Sequence, residues 1–173
     1  MTRFGYLMTT YFMTLGIGAT ALFRPTPRLL WNASASVPIG LYALQPVSPL
    51  KDGEIVAAMP SLALSRYMAV RFYLPLGLPL IKHVGAGPGQ SVCRHGFTIS
   101  IDGHAVAIAW ARDHAGRPLP VWQGCRTLAP GEIFLLNPAA PDSFDGRYFG
   151  PTPLVSILGR AMPLWTRGKD GLL

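Results

Sequence analysis

Glycine and proline punctuate this chain so densely, with 19 and 17 among 173 residues, that few stretches remain long enough for a helix. Short strands joined by tight turns are the architecture that such punctuation permits. Between the breakers, β-branched and aromatic residues favour strands over residues 41–44, 54–59, 80–84, 97–101, 105–109, 132–136 and 154–161. Asp102-Gly103 separates two of these runs and is the clearest hairpin signal. Residues 61–74 differ: Leu64, Met68 and Phe72, with Leu62, Ala69 and Tyr73, recur at helical spacing and stop at Pro75. The expected fold class is therefore mainly β, with one helix in the soluble part, and the length suits one domain with a core of its own.

The leader is a separate case. Residues 4–23 carry no charge, and 20 residues at about 1.5 Å each just match a hydrocarbon layer of roughly 30 Å. A transmembrane anchor over residues 1–25, followed by one folded domain over 26–173, is the expected organisation. A cleavable signal peptide is the competing reading, because Arg3 begins the segment and Ala19-Thr20-Ala21 has the form of a cleavage site. Arg3 on one side and Arg24 with Arg28 on the other leave the orientation open.

Cys93 and Cys125 are the only cysteines. In an exported chain such a pair reads as a disulfide, with two unrelated buried thiols as the alternative. Cys93 with His95, His104 and His114 has the spacing of no closed zinc set, so no metal is expected. The net charge of +7 is spread singly rather than clustered, which suits an anionic membrane surface and argues against a nucleic-acid partner.

Lys82 stands alone as a charge inside the apolar run Leu76-Gly-Leu-Pro-Leu-Ile-Lys-His-Val-Gly85. The other lysines, Lys51 and Lys169, sit beside Asp52 and Asp170. Burial disfavours the charged form, and a lysine made neutral can take a proton from a serine. Ser36, close before Pro38 and Gly40, lies on a segment suited to presenting a side chain outward. Taken singly, Ser34 and Ser36 also read as turn serines, Lys82 as a snorkelling lysine, and 141–146 as an Asx-rich turn.

Three motifs change that balance: Asn32-x-Ser34-x-Ser36-x-Pro38-x-Gly40-x-Tyr42, Pro79-Leu-Ile-Lys82-x-Val84, and Ser143-Phe-Asp145-Gly-Arg147-Tyr-Phe-Gly-Pro151. In this order they resemble the TraF-type conjugative transfer signal peptidases of serine peptidase family S26, relatives of the type I signal peptidases. The resemblance implies a signal-peptidase-like β-fold, of the kind shared with LexA, behind an N-terminal transmembrane helix. By the same resemblance Ser36 is the nucleophile and Lys82 its base, while Ser34 joins the Ser36 backbone N–H at the oxyanion. Ser143 would orient the lysine, and Asp145 would pair with Arg147 and be needed for activity. Val37, Leu80 and Ile81 would line the pocket beside the cut, and the substrate would lie extended against these segments.

The implied activity is processing of an exported pilin precursor, or another exported preprotein, at the bacterial inner membrane, with the catalytic domain in the periplasm and no cofactor. Whether water or the pilin's own amino terminus resolves the acyl-enzyme stays open. A general type I signal peptidase and a non-catalytic periplasmic component of a conjugation apparatus are the alternatives. The chain departs from the common signal peptidases in Ser36-Val37-Pro38, which lacks the methionine after the serine, and in His83, Gln90 and Gly146. Gly146 replaces a serine and puts the support of that loop in question.

Overall fold

The computed structural model describes residues 2–22, 28–47 and 49–167. In chain order the elements are α1 (Arg3–Leu22), β1 (Leu29–Asn32), β2 (Gly40–Gln45), β3 (Ile55–Ala58), α2 (Leu62–Val70), β4 (Leu80–Ala86), β5 (Ser91–His95), β6 (Thr98–Ile101) and β7 (His104–Ile108). They continue with β8 (Gly124–Thr127), β9 (Glu132–Leu135), α3 (Gly146–Phe149), β10 (Thr152–Pro153) and β11 (Ile157–Thr166). The strands form a seven-stranded sheet in the order β1-β2-β11-β3-β4-β9-β10 and a four-stranded sheet in the order β7-β6-β5-β8, with every named pairing antiparallel.

The mainly β expectation holds, and the hairpin at Asp102-Gly103 closes with both residues at positive φ, 48° and 82°. That is the twist a two-residue hairpin needs. The helix expected over 61–74 is shorter. Its start is as expected, with the Ser61 side chain accepting a hydrogen bond from the Leu64 amide. Its end comes at Val70, where Phe72 turns left-handed at φ 60°, its amide donating to the Ala69 carbonyl and that of Tyr73 to the Met68 carbonyl. This double closure is the Schellman pattern, here without the usual glycine. It throws Phe72 into solvent and folds Tyr73 back against Phe144, so Phe72 does not continue the apolar face of Met68.

Residues 4–22 of the leader do form a helix, but the expected membrane span is not met. Among the described residues no helix is long and apolar enough to cross a membrane. The 20 residues of α1 include Thr9, Thr10, Thr14 and Thr20, two tyrosines and three glycines, and this dilutes an otherwise uncharged run. Arg24, Ala21 of the cleavage-like site as a side chain, Lys169 with Asp170, and the expected boundary at residues 25–26 lie outside the described residues.

Two of the buried clusters position Lys82. Val56, Ala58, Val84, Ile133 and Leu135 fill the larger sheet around β3, β4 and β9. Ala86, Val92, Ile99, Leu128, Phe134 and Leu136 tie the smaller sheet to β9. The interior strand β4 thus passes through one core into the other, and Lys82 sits on it opposite Val56.

Candidate active site

The serine loop leaves β1 at Asn32 and returns to the sheet at Gly40, opposite it in the β1–β2 register. A Cβ on Gly40 would stand 2.1 Å from the Trp165 carbonyl oxygen, so only glycine lets β2 approach β11 here. Val37 and Tyr42 pin the loop from beneath: both are buried with Ile81 and Ala161, and the Tyr42 hydroxyl donates to the Pro38 carbonyl at 2.6 Å. Above this anchor the Ser34 Oγ and Ser36 Oγ lie 3.2 Å apart.

Lys82 comes to this loop from β4. Its side chain is only 5% exposed, and its Nζ lies 3.1 Å from the Ser36 Oγ and 2.8 Å from the Ser143 Oγ. Burial pushes the amine down from 10.5 to about 8, opposed in part by the negative charge of Asp145 and reinforced by Arg147. A large fraction of the amine is thereby neutral in mildly alkaline solution, and a neutral amine within hydrogen-bond reach of a hydroxyl can accept its proton.

The third motif supports the lysine from behind. Asp145 caps α3, its carboxylate accepting from the Arg147 amide and Nε, from Arg147 Nη2 at 2.8 Å, and from the Asn137 amide at 3.0 Å. Arg147 continues to the carbonyls of Asn137, Ala140 and Pro141, so one buried ion pair fixes the whole loop that carries Ser143. Asp145 therefore reaches Lys82 through its field and through Ser143's loop, its hydrogen bonds being spent on Arg147 and Asn137. Gly146 is required rather than permissive: a Cβ there would stand 2.6 Å from the Leu135 carbonyl oxygen and 2.7 Å from the Phe134 ring. A serine here would not fit without a shift of the Leu135 backbone.

A cleft of about 850 Å³ opens over these groups, lined on one side by Trp31, Ser34 and Ser36 and on the other by Leu80, Ile81 and Lys82. The β4–β9 register begins only at Val84, which leaves Leu80, Ile81 and Lys82 along the cleft. Val37 is a correction: it is 3% exposed and belongs to the core under the loop, because its backbone neighbours turn Ser36 outward and Val37 inward. The far wall holds Phe144, stacked between Tyr67 and Tyr148, and Asp113, which accepts from the Tyr73 hydroxyl and from Arg117. Arg71 lies over the Tyr67 ring and 3.5 Å from Asp113. These partners hold the Asp113 carboxyl well below the usual carboxylate range.

Cys93 and Cys125 stand directly opposite on β5 and β8 and are joined as a disulfide. His95 Nε2 lies 3.5 Å from the Cys125 Sγ. With both sulfurs bonded to each other, the trio offers no thiolate to a metal. Sequence reasoning missed Asn137, whose Oδ1 accepts from the His83 amide while its own amide donates to Asp145. Nothing in its local sequence marks a residue that links β4 to the third motif. It also missed Arg94, fully buried on β5, which donates to the Arg147 and Gly96 carbonyls.

A family model described as signal peptidase, peptidase S26, matches residues 1–165. The chain belongs to this family. A conjugal transfer protein TraF of Agrobacterium fabrum is 37% identical over 145 residues, covering 78% of this chain and 81% of that protein. A probable conjugal transfer protein TraF of Sinorhizobium fredii is 36% identical over 146 residues, covering 78% and 76%. A plasmid transfer protein TraF of Escherichia coli is 29% identical over 180 residues, covering 96% and 99%. The crystal structure of a signal peptidase I from Enterococcus faecalis aligns with a TM-score of 0.39 at 20% identity, over 66% of this chain and 98% of that one. The TraF-type resemblance carried by the three motifs is thus shown, and the mainly β domain with its three helices is that of a signal peptidase family member.

Proposed function

We propose that this S26 family member is a serine endopeptidase that cleaves an exported pilin precursor through an acyl-enzyme at Ser36. The observation that carries the reading is the buried Lys82 amine, 3.1 Å from the Ser36 Oγ and steadied by Ser143 at 2.8 Å. In this reading the neutral amine takes the Ser36 proton as the oxygen attacks the scissile carbonyl, and the resulting ammonium passes that proton to the leaving amine. Ser143 accepts one of the amine's N–H groups, which turns the nitrogen lone pair toward Ser36. The Ser34 hydroxyl and the Ser36 backbone N–H stabilise the tetrahedral oxyanion, where one donor is worth on the order of 100-fold in rate.

The substrate lies extended beside Leu80 and Ile81, which fits the open flank of β4. The TraF relatives act in conjugal or plasmid transfer by their names, which supports a transfer pilin as the preprotein. The Cys93–Cys125 disulfide supports action on the periplasmic side of the inner membrane, an oxidising compartment. Processing of the pilin precursor by wild-type, Ser36→Ala and Lys82→Ala proteins, scored by product mass, tests the proposal. Loss of processing in both variants is expected; a product one water lighter than the linear peptide would mark amine attack, and retained processing would support a non-catalytic role.

A further inference from the structure

The serine motif begins with a residue to which the mechanism above gives no part. Asn32 is 5% exposed at the end of β1, and its side chain is the centre around which the nucleophile loop is wrapped. Its Oδ1 accepts from the Ser34 amide at 3.1 Å and from the Ser34 Oγ at 3.0 Å. Its Nδ2 donates to the carbonyls of Ser34, Val37 and Pro38 at 2.8, 3.0 and 3.1 Å. Two hydrogens meet three acceptors, so one is shared. The neighbours fix which end of the amide points where, since donors face the oxygen and carbonyls face the nitrogen.

We infer that Asn32 is the positioning residue that holds Ser34 as the oxyanion donor beside Ser36, an inference that rests on the peptidase reading. The loop spanning residues 33–38 has no ladder of its own to define it, and Asn32 supplies from one side chain the bonds that a strand partner would give. Both the backbone and the hydroxyl of Ser34 are tied to the same oxygen, which sets the 3.2 Å separation of Ser34 Oγ from Ser36 Oγ. In the resting enzyme the Ser34 proton rests on Asn32 Oδ1. When negative charge develops on the substrate oxygen, that stronger acceptor takes the Ser34 hydrogen bond, while Asn32 Oδ1 keeps the Ser34 amide. The donor is held in place and released by rotation alone, with no proton transferred. An aspartate in this position would aim an acceptor at three carbonyls, and a shorter or apolar residue would strand them.

The test is a double-mutant cycle on the full chain with a quenched fluorescent peptide carrying an Ala-x-Ala cleavage sequence. Ser34→Ala is expected to lower kcat by roughly 100-fold with KM little changed. Asn32→Ala is expected to lower kcat to a similar degree, and the double variant to be no worse than about threefold below the poorer single, because both changes disable one unit. Asn32→Asp, which keeps the acceptor and loses the donors, is expected to fall as far as Asn32→Ala. Thermal unfolding of each variant confirms that kcat is read on folded protein. Should the two single effects multiply, or Asn32→Ala keep wild-type kcat, the inference is wrong. Ser36→Ala separates this from the parent reading: activity surviving in Ser36→Ala overturns the peptidase itself, whereas a dead Ser36→Ala with independent Asn32 and Ser34 effects overturns only the role of Asn32.

Discussion

Lys82→Met removes the buried amine while keeping an unbranched chain of similar length, and it should stabilise the protein while abolishing its activity. The amine falls from 10.5 to about 8 on folding, and at about 1.4 kcal/mol per unit the charged form costs the native state about 3 kcal/mol. The sign follows from proton binding. Below pH 8 both folded and unfolded chains carry the proton and the full cost is present. Between pH 8 and 10.5 the unfolded chain binds more protons than the folded one, so wild-type stability rises with pH and the cost fades. Against this gain stand the hydrogen bonds from Nζ to Ser36 and to Ser143, the latter only 4% exposed. Leaving a buried hydroxyl without its partner costs about 1–2 kcal/mol. The variant should therefore be more stable than wild type by about 1–2 kcal/mol at pH 7, and that advantage should shrink by about 2 kcal/mol at pH 10. Urea unfolding of both proteins at the two pH values, with the disulfide intact, reads the difference directly. A variant less stable than wild type at pH 7, or a difference that does not change with pH, would refute a buried amine that is costly to protonate.

Other perturbations act on the support. Asp145→Asn leaves Arg147, 1% exposed, without its counter-charge, and should destabilise by about 3–5 kcal/mol in chemical unfolding while lowering activity of the folded remainder. Gly146→Ser drives a Cβ into the Leu135 carbonyl and the Phe134 ring, so a loss of about 1–3 kcal/mol is expected where a surface serine would be neutral. Cys93→Ala with Cys125→Ala opens a loop of sequence separation 32 and should cost about 3–4 kcal/mol, visible as a lowered Tm that reducing agent no longer affects.

Much of the site was legible through the order of three motifs: each alone also reads as a turn or a snorkelling lysine, and the resemblance they carry together singled them out. The fold brings Ser34, Ser36, Lys82 and Ser143 to one cleft, with Asp145 and Arg147 buried behind them. Legibility failed where tertiary contacts overrule local signals. Val37 sits beside Ser36 in sequence yet belongs to the core, because alternation along the loop sends it the other way. Strands β5 and β8 were not expected, and Arg94 on β5 is fully buried despite its charge, held by carbonyls that include one remote in sequence. The four-residue α3 is too short for any periodicity, and α2 stops at Val70 because backbone closure by Phe72 and Tyr73 outweighs a continuing apolar pattern. The leader reads as a span by its lack of charge, whereas its threonines, tyrosines and glycines leave it short of the hydropathy a span requires.

The pH dependence of kcat/KM for peptide cleavage tests the central claim most directly. A base with its pKa at about 8 predicts a rate that falls about tenfold per unit below that pH and levels off above it, with no residual cleavage in Lys82→Ala at any pH. A flat profile from about pH 6 to 9, or cleavage that survives loss of the lysine, would contradict the account.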